Sequence, residues 1–114
     1  MQSGRLEKLL EFIKNEPNDE FLKYALATEY LRLGDNAKAL EYYEDLISNH
    51  PGYVGTYYHL GKLYEILNRK EDAVKTYETG MNVARDKRDN HAFSELQSVY
   101  NQLTGLYDVE DDDY

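Results

Sequence analysis

Cysteine is absent from this 114-residue chain, which excludes disulfides, a thiolate nucleophile and any zinc site built on cysteine. Long apolar runs are missing as well. No stretch approaches the roughly 18 apolar residues of a membrane-spanning helix. Met1-Gln2-Ser3-Gly4-Arg5 leads into an amphipathic pattern rather than the apolar core of a signal peptide. No membrane partner is expected, and a cytoplasmic location is. Basic residues are scarce: 13 Lys and Arg oppose 22 Asp and Glu, for a formal net charge of −9. Five of those negative charges (Asp108, Glu110, Asp111, Asp112 and Asp113) fall in the last seven residues, which leaves −4 for the rest. A nucleic-acid partner requires an excess of Lys and Arg on one face, so none is expected.

Catalytic signatures are also missing. The hydroxyl and imidazole groups that could form a nucleophile–base pair are Ser3, Ser48, Ser94 and Ser98 with His50, His59 and His91. No serine lies in a G-x-S-x-G elbow, and no H-E-x-x-H pair or phosphate-cradling glycine loop occurs. The acidic end offers carboxylates for a hard cation but lacks the spaced ligands and the glycine of a calcium loop. The expectation is a protein that is not an enzyme, with no cofactor and no metal. The segment 108–114 should be a solvated, disordered tail, too acidic to pack.

What the chain does have is an internal period. Adding 34 to Leu26, Tyr30, Leu33, Ala39, Tyr43 and Glu44 reaches Leu60, Tyr64, Leu67, Ala73, Tyr77 and Glu78, identical at every position, and Tyr24 matches Tyr58. A fixed period of this length marks a stacked repeat. The residues resemble the tetratricopeptide repeat family: Tyr57-x-x-Leu60-Gly61-x-x-Tyr64 followed by Ala73-x-x-x-Tyr77. In the first copy the same pattern reads Lys23-x-x-Leu26-Ala27-x-x-Tyr30, then Ala39-x-x-x-Tyr43, closing at Pro51. Departures are Lys23 for the first aromatic, Ala27 for glycine, and no proline closing the second copy.

The pattern sets an order of elements. Subtracting 34 from Leu40, Tyr43, Leu46, Ile47 and Pro51 reaches Leu6, Leu9, Phe12, Ile13 and Pro17, so the chain opens with a second-type helix over 5–17. Leu6, Leu9, Leu10 and Ile13 form its apolar stripe. Leu6, Leu9, Phe12 and Ile13 should seal the first full repeat. Full repeats follow over 20–53 and 54–87. Their helices run from about Glu20 to Leu33, Asn36–Asn49 and Lys70–Arg85, with Gly34 and Asn68 as left-handed turn residues and Asp35 as a cap. Ala27, Gly61 and the other small residues serve close helix crossings. On the first inner helix Leu26, Ala27, Tyr30 and Leu33 should pack within the repeat. Adding 36 to Tyr57, Leu60, Tyr64 and Leu67 reaches Phe93, Leu96, Tyr100 and Leu103, a first-type helix over 91–104 ended by Gly105. The expected fold is all-α, a single domain over 1–107 of about six helices in antiparallel pairs, stacked in a short right-handed superhelix.

The candidate functional surface lies opposite the packing face of the first-type helices. On the first it comprises Phe21, Tyr24, Thr28, Leu31 and Arg32, three of which are apolar or aromatic, more than a merely solvated face requires. On the second, Tyr58, Lys62 and Glu65 occupy the equivalent side, with Gly55 and Ile66. On the last it is His91, Ser94, Ser98, Asn101 and Gln102. The resemblance implies that this side lines a concave groove for extended or helical peptides, so the expected partner is a protein or peptide segment, apolar with basic flanks. Some family members clamp an acidic chaperone tail with Lys, Arg and Asn. The corresponding positions here are Tyr24, Thr28, His59, His91 and Glu95, so acidic tails are not expected to bind. The alternative is a weak homo-oligomer stacking head-to-tail through its second-type first helix and first-type last helix.

Overall fold

The computed structural model describes residues 4–105. The acidic stretch 108–114, with Leu106 and Tyr107, lies outside the described residues. Six helices occur among the described residues, packed in antiparallel pairs: α1 (Gly4–Asn15), α2 (Glu20–Arg32), α3 (Asn36–Asn49), α4 (Gly55–Ile66), α5 (Lys70–Asp86) and α6 (Asn90–Thr104). They fall into two compact units that divide after Tyr53, α1–α3 in the first and α4–α6 in the second. No helix among the described residues is long and apolar enough to cross a membrane.

In the first unit α1 lies along α2 because its apolar stripe recurs at helical spacing. Leu6 and Leu9 are buried with Ala25 and Leu26, flanked by Leu10, Ile13, Leu22, Tyr30 and Tyr42. Phe12 departs from the sealing role expected of it. Contact with α2 runs along Leu6 and Leu9, which leaves the Phe12 ring 56% exposed on the side turned away. The Asp19 side chain caps α2 by accepting from the Leu22 N–H at 2.9 Å. The helix closes through Gly34 (φ 86°), which lets the Asp35 N–H reach back to the Tyr30 carbonyl at 2.9 Å. Asp35 then caps α3 through the Lys38 N–H at 3.1 Å. Leu33, expected to pack, sits in this turn and is 37% exposed, since α2 ends one residue before it. Ala27, Ala39, Tyr43 and Leu46 are fully buried, and Tyr30 stacks on Tyr42 at 5.9 Å.

The second unit repeats this design with other residues. Asn68 takes the left-handed turn (φ 65°), and the Arg69 N–H reaches the Tyr64 carbonyl at 2.8 Å. Arg69 stands where Asp35 did and gives α5 no side-chain cap; its guanidinium lies over the Tyr64 ring at 4.5 Å and bonds Asp72 at 2.8 Å. The residues that break the 34-residue period lengthen α5 to 17 residues against 14 for α3. After α5 the chain makes the same tight turn, with Arg88 at φ 58° and the Asp89 N–H on the Ala84 carbonyl. Asp89 caps α6 through the Ala92 N–H. Tyr57, Leu60, Leu63, Tyr77, Ala84 and Leu96 form the buried centre of this unit.

Gly61 supplies the close crossing of α4 and α5, since a Cβ there would fall inside the Tyr77 ring. Gly80 on α5 does the same for Tyr57, whose Cβ occupies the space an alanine methyl would need.

Candidate functional site

The first unit presents Phe21, Tyr24, Thr28 and Leu31 along one side of α2, spaced by three or four residues so that they stand above one another. Phe21 is 58% exposed, and Tyr24, Thr28 and Leu31 are half-buried. Two rings hold Tyr24 from beneath: Tyr43 of α3 edge-on at 6.4 Å and Tyr53 of the following turn at 5.4 Å. The Thr28 hydroxyl donates to the Tyr24 carbonyl at 2.9 Å and lies 3.2 Å from the Tyr43 hydroxyl. Burial pushes the Tyr43 phenol up to about 12, against the opposing effect of Thr28, and raises those of Tyr24 and Tyr53. All three are neutral hydroxyls at physiological pH, suited to hydrogen bonding and ring contact.

Arg32 is exposed but occupied. Its guanidinium forks onto Glu29, Nε to Oε1 at 3.2 Å and Nη2 to Oε2 at 2.5 Å, and this bond raises its already high pKa. Glu29 is itself buried and receives Arg5 of α1 at 3.5 Å. Arg32 therefore anchors α2 more than it offers a charge to a ligand.

Behind this side lies an ionic cluster. Lys23, only 5% exposed, places its Nζ 2.8 Å from Asp45, 3.4 Å from the Asn18 side-chain oxygen and 3.4 Å from His50 Nε2. The other nitrogen of His50 faces Glu20 at 3.4 Å. Partial burial alone would raise the Asp45 pKa, but Lys23, Asn49 and His50 together hold it below the ordinary value.

The second unit offers a more polar side. Tyr58 is half-buried, edge-on to His59 at 5.5 Å. Lys62 lies 3.9 Å from Glu65, and the Tyr77 hydroxyl donates to Glu65 at 2.5 Å. Burial first, and then this bond, raise the Tyr77 pKa far above its usual value. Burial lowers the His59 pKa, with Glu95 pulling the other way. His91 and Glu95 pair at 3.3 Å on α6. Ile66 is 64% exposed. His91, Ser94 and Gln102 are exposed, and Ser98 and Asn101 half-buried. Among the described residues no three His, Asp or Glu side chains gather to hold a metal ion.

Of the expected site residues, Phe21, Tyr24, Thr28 and Leu31 stand together in the first unit, and Tyr58, Lys62 and Glu65 lie on α4 in the second. Arg32 and Glu65 are already engaged. Sequence reasoning missed Tyr53 and Glu20, which the turn after α3 and the start of α2 bring beside Tyr24. The available signal was the Pro51-Gly52 pair, which turns the chain back immediately before Tyr53.

Comparison with known proteins bears on the family and the fold. A family model described as a tetratricopeptide repeat matches residues 24–80. The chain is 36% identical over 78 residues to a TPR repeat-containing protein of Methanocaldococcus jannaschii; the match takes in 68% of this chain and 23% of that protein. It superposes on the crystal structure of a tetratricopeptide repeat domain protein of Salinibacter ruber with a TM-score of 0.75 and 47% identity, over 78% of this chain and 99% of that one. A protein of Bordetella parapertussis shares the fold alone, with a TM-score of 0.78 at 21% identity over 98% of this chain and 96% of that one.

Proposed function

This chain belongs to the tetratricopeptide repeat family, whose domains are in general protein–protein interaction modules, and we propose that it is a non-catalytic adaptor that captures a peptide segment on its first-type helices. The segment carries one or two large apolar side chains flanked by Lys or Arg. Phe21, Tyr24 and Leu31 take the apolar anchors in the first unit. The observation that carries this reading is the aromatic side of α2, where Phe21 is 58% exposed beside a half-buried Tyr24. Rings already held by Tyr43 and Tyr53 lose little freedom when a ligand arrives, which lowers the cost of binding. The charge of −9 favours basic flanks and repels acidic tails at long range.

Calorimetric titration with two synthetic peptides tests this: one with a Phe–Leu pair between arginines, the other an acidic C-terminal tail. The first should bind and the second should not. Phe21→Ala and Tyr24→Ala should each weaken binding by about 1–3 kcal/mol, the range of an aromatic hot spot, with helicity retained. Tight binding of the acidic tail, or indifference to both substitutions, contradicts the proposal.

A further inference from the structure

The peptide-binding reading leaves open which carboxylate meets the basic residue of the ligand. By sequence position alone Glu65 is the candidate. Its carboxylate, however, already accepts the Tyr77 hydroxyl at 2.5 Å and faces Lys62 at 3.9 Å. A second cation there would compete with Lys62 for an acceptor fixed from below.

The first unit offers a better receptor. Glu20 stands one helical turn before Tyr24 on the same side of α2, beside the exposed Phe21. Its side chain is 51% exposed, and its Oε1 lies 3.4 Å from the His50 ring. The rings of Tyr24 and Tyr53 touch at 5.4 Å, tilted by 53° rather than stacked face to face, and both are half-buried. Glu20 lies against His50, whose carbonyl accepts the Tyr53 N–H at 3.0 Å, so the carboxylate and Tyr53 meet at the same end of α2, and Glu20 and Asp19 both act electrostatically on the Tyr53 hydroxyl. Asp19 spends one oxygen capping α2, which leaves Glu20 as the acceptor toward solvent. A carboxylate beside tilted ring faces suits a guanidinium, whose plane can lie on a ring while its edge donates to the carboxylate.

We propose that the ligand's arginine is read in the first unit, by Glu20 together with the rings of Tyr24 and Tyr53, and not by Glu65. This rests on the peptide-binding reading and adds the location and chemistry of its charge selection. The anchor next to that arginine in the ligand then falls on Phe21, the neighbour of Glu20 in α2.

The probes are a short synthetic peptide with a Phe–Leu pair flanked by arginines and the same peptide with citrulline, the neutral isostere, in place of arginine. Wild-type protein should bind the arginine form about five-fold more tightly or better, and added salt should reduce the gap. Glu20→Gln, an exposed change that leaves the fold intact, should abolish the discrimination. Tyr53→Leu should reduce it, and Glu65→Gln should retain it. Equal binding of the two peptides by wild type, or discrimination that survives Glu20→Gln, overturns this inference while leaving the peptide-binding reading in place. Failure of both peptides to bind overturns both readings.

Discussion

The two full repeats reach the same pairing of helices with bulk placed on opposite sides. At the first aromatic position of the pattern, the second repeat buries Tyr57 and sets Gly80 against it on α5. The first repeat has Lys23 there, and the residue equivalent to Gly80 is the buried Leu46. A ring on the first-type helix and nothing on the second is exchanged for a slender side chain facing a branched one. At the close crossing the second repeat has Gly61 and the first Ala27, while the second-type helices carry tyrosine at the same position, Tyr77 and Tyr43. At the position of the buried Leu63, the first repeat buries Glu29 and ties it to Arg32 and Arg5. The tyrosine hydroxyls of the second-type helices follow suit: Tyr43 meets Thr28, and Tyr77 meets Glu65. The fold therefore asks for a volume at each position and tolerates different chemistry in filling it. The first repeat spends more of that chemistry on ion pairs.

The largest expected effect separates the repeats at that first position. Tyr57→Ala should cost about 3–5 kcal/mol, as for other large-to-small changes of a buried ring. Lys23→Met should cost about 1 kcal/mol or less, because methionine keeps most of the volume of the lysine stem and the carboxylate it leaves behind is not buried. Its partner Asp45 has a side chain 36% exposed and can turn to water. Urea denaturation of both variants measures the gap; equal costs would mean that Lys23 holds its repeat as firmly as the ring holds the other.

A smaller contrast lies at the close crossing. Gly61→Ala should destabilise by about 1–3 kcal/mol, although alanine is the better helix former, because its methyl collides with Tyr77. Ala27→Gly should cost about 1 kcal/mol, the propensity difference. Thermal melting distinguishes them, and a stabilising Gly61→Ala would show that Tyr77 can give way.

The smallest effects are in pH. His59 has a folded pKa below its unfolded value, so as pH falls the unfolded chain takes up the proton first, and stability declines beginning near pH 6.5. Asp45 is also depressed. Its contribution is complete above the unfolded value near 4 and disappears as pH falls through the lower folded one. His59→Gln should flatten the stability profile between about pH 5 and 6.5, and Asp45→Asn only below about pH 4. Urea midpoints across that range, with both variants sloping as the wild type does, would contradict these assignments.

The helices were legible because their order depends on spacing and on turn residues, both local. Leu6, Leu9, Leu26 and Leu60 lie where periodicity places them, and Gly34 and Asn68 turn as the backbone requires. The Lys23 cluster was not legible. Its partners Asn18, Asp45 and His50 come from separate segments, and only the tertiary register brings them together. Phe12 was placed by repeat arithmetic, which cannot say that α1 meets α2 along another edge. On the candidate surface the sequence put Phe21, Tyr24 and Leu31 on one side of α2, but did not show that Arg32 and Glu65 are held by neighbours. The alternative of head-to-tail stacking also meets an obstacle. In α6 the position of Gly61 is taken by Gln97, which is exposed. A second-type helix approaching α6 as α5 approaches α4 would strike that side chain.

Backbone amide mapping during titration with the arginine-flanked Phe–Leu peptide tests the central claim most directly. The account predicts saturable shifts at Glu20, Phe21, Tyr24, Leu31 and Tyr53, and spectra that do not change with protein concentration when no peptide is present. Shifts confined to α3 and α5, or a spectrum that moves with protein concentration at α1 and α6 while the peptide has no effect, would contradict it.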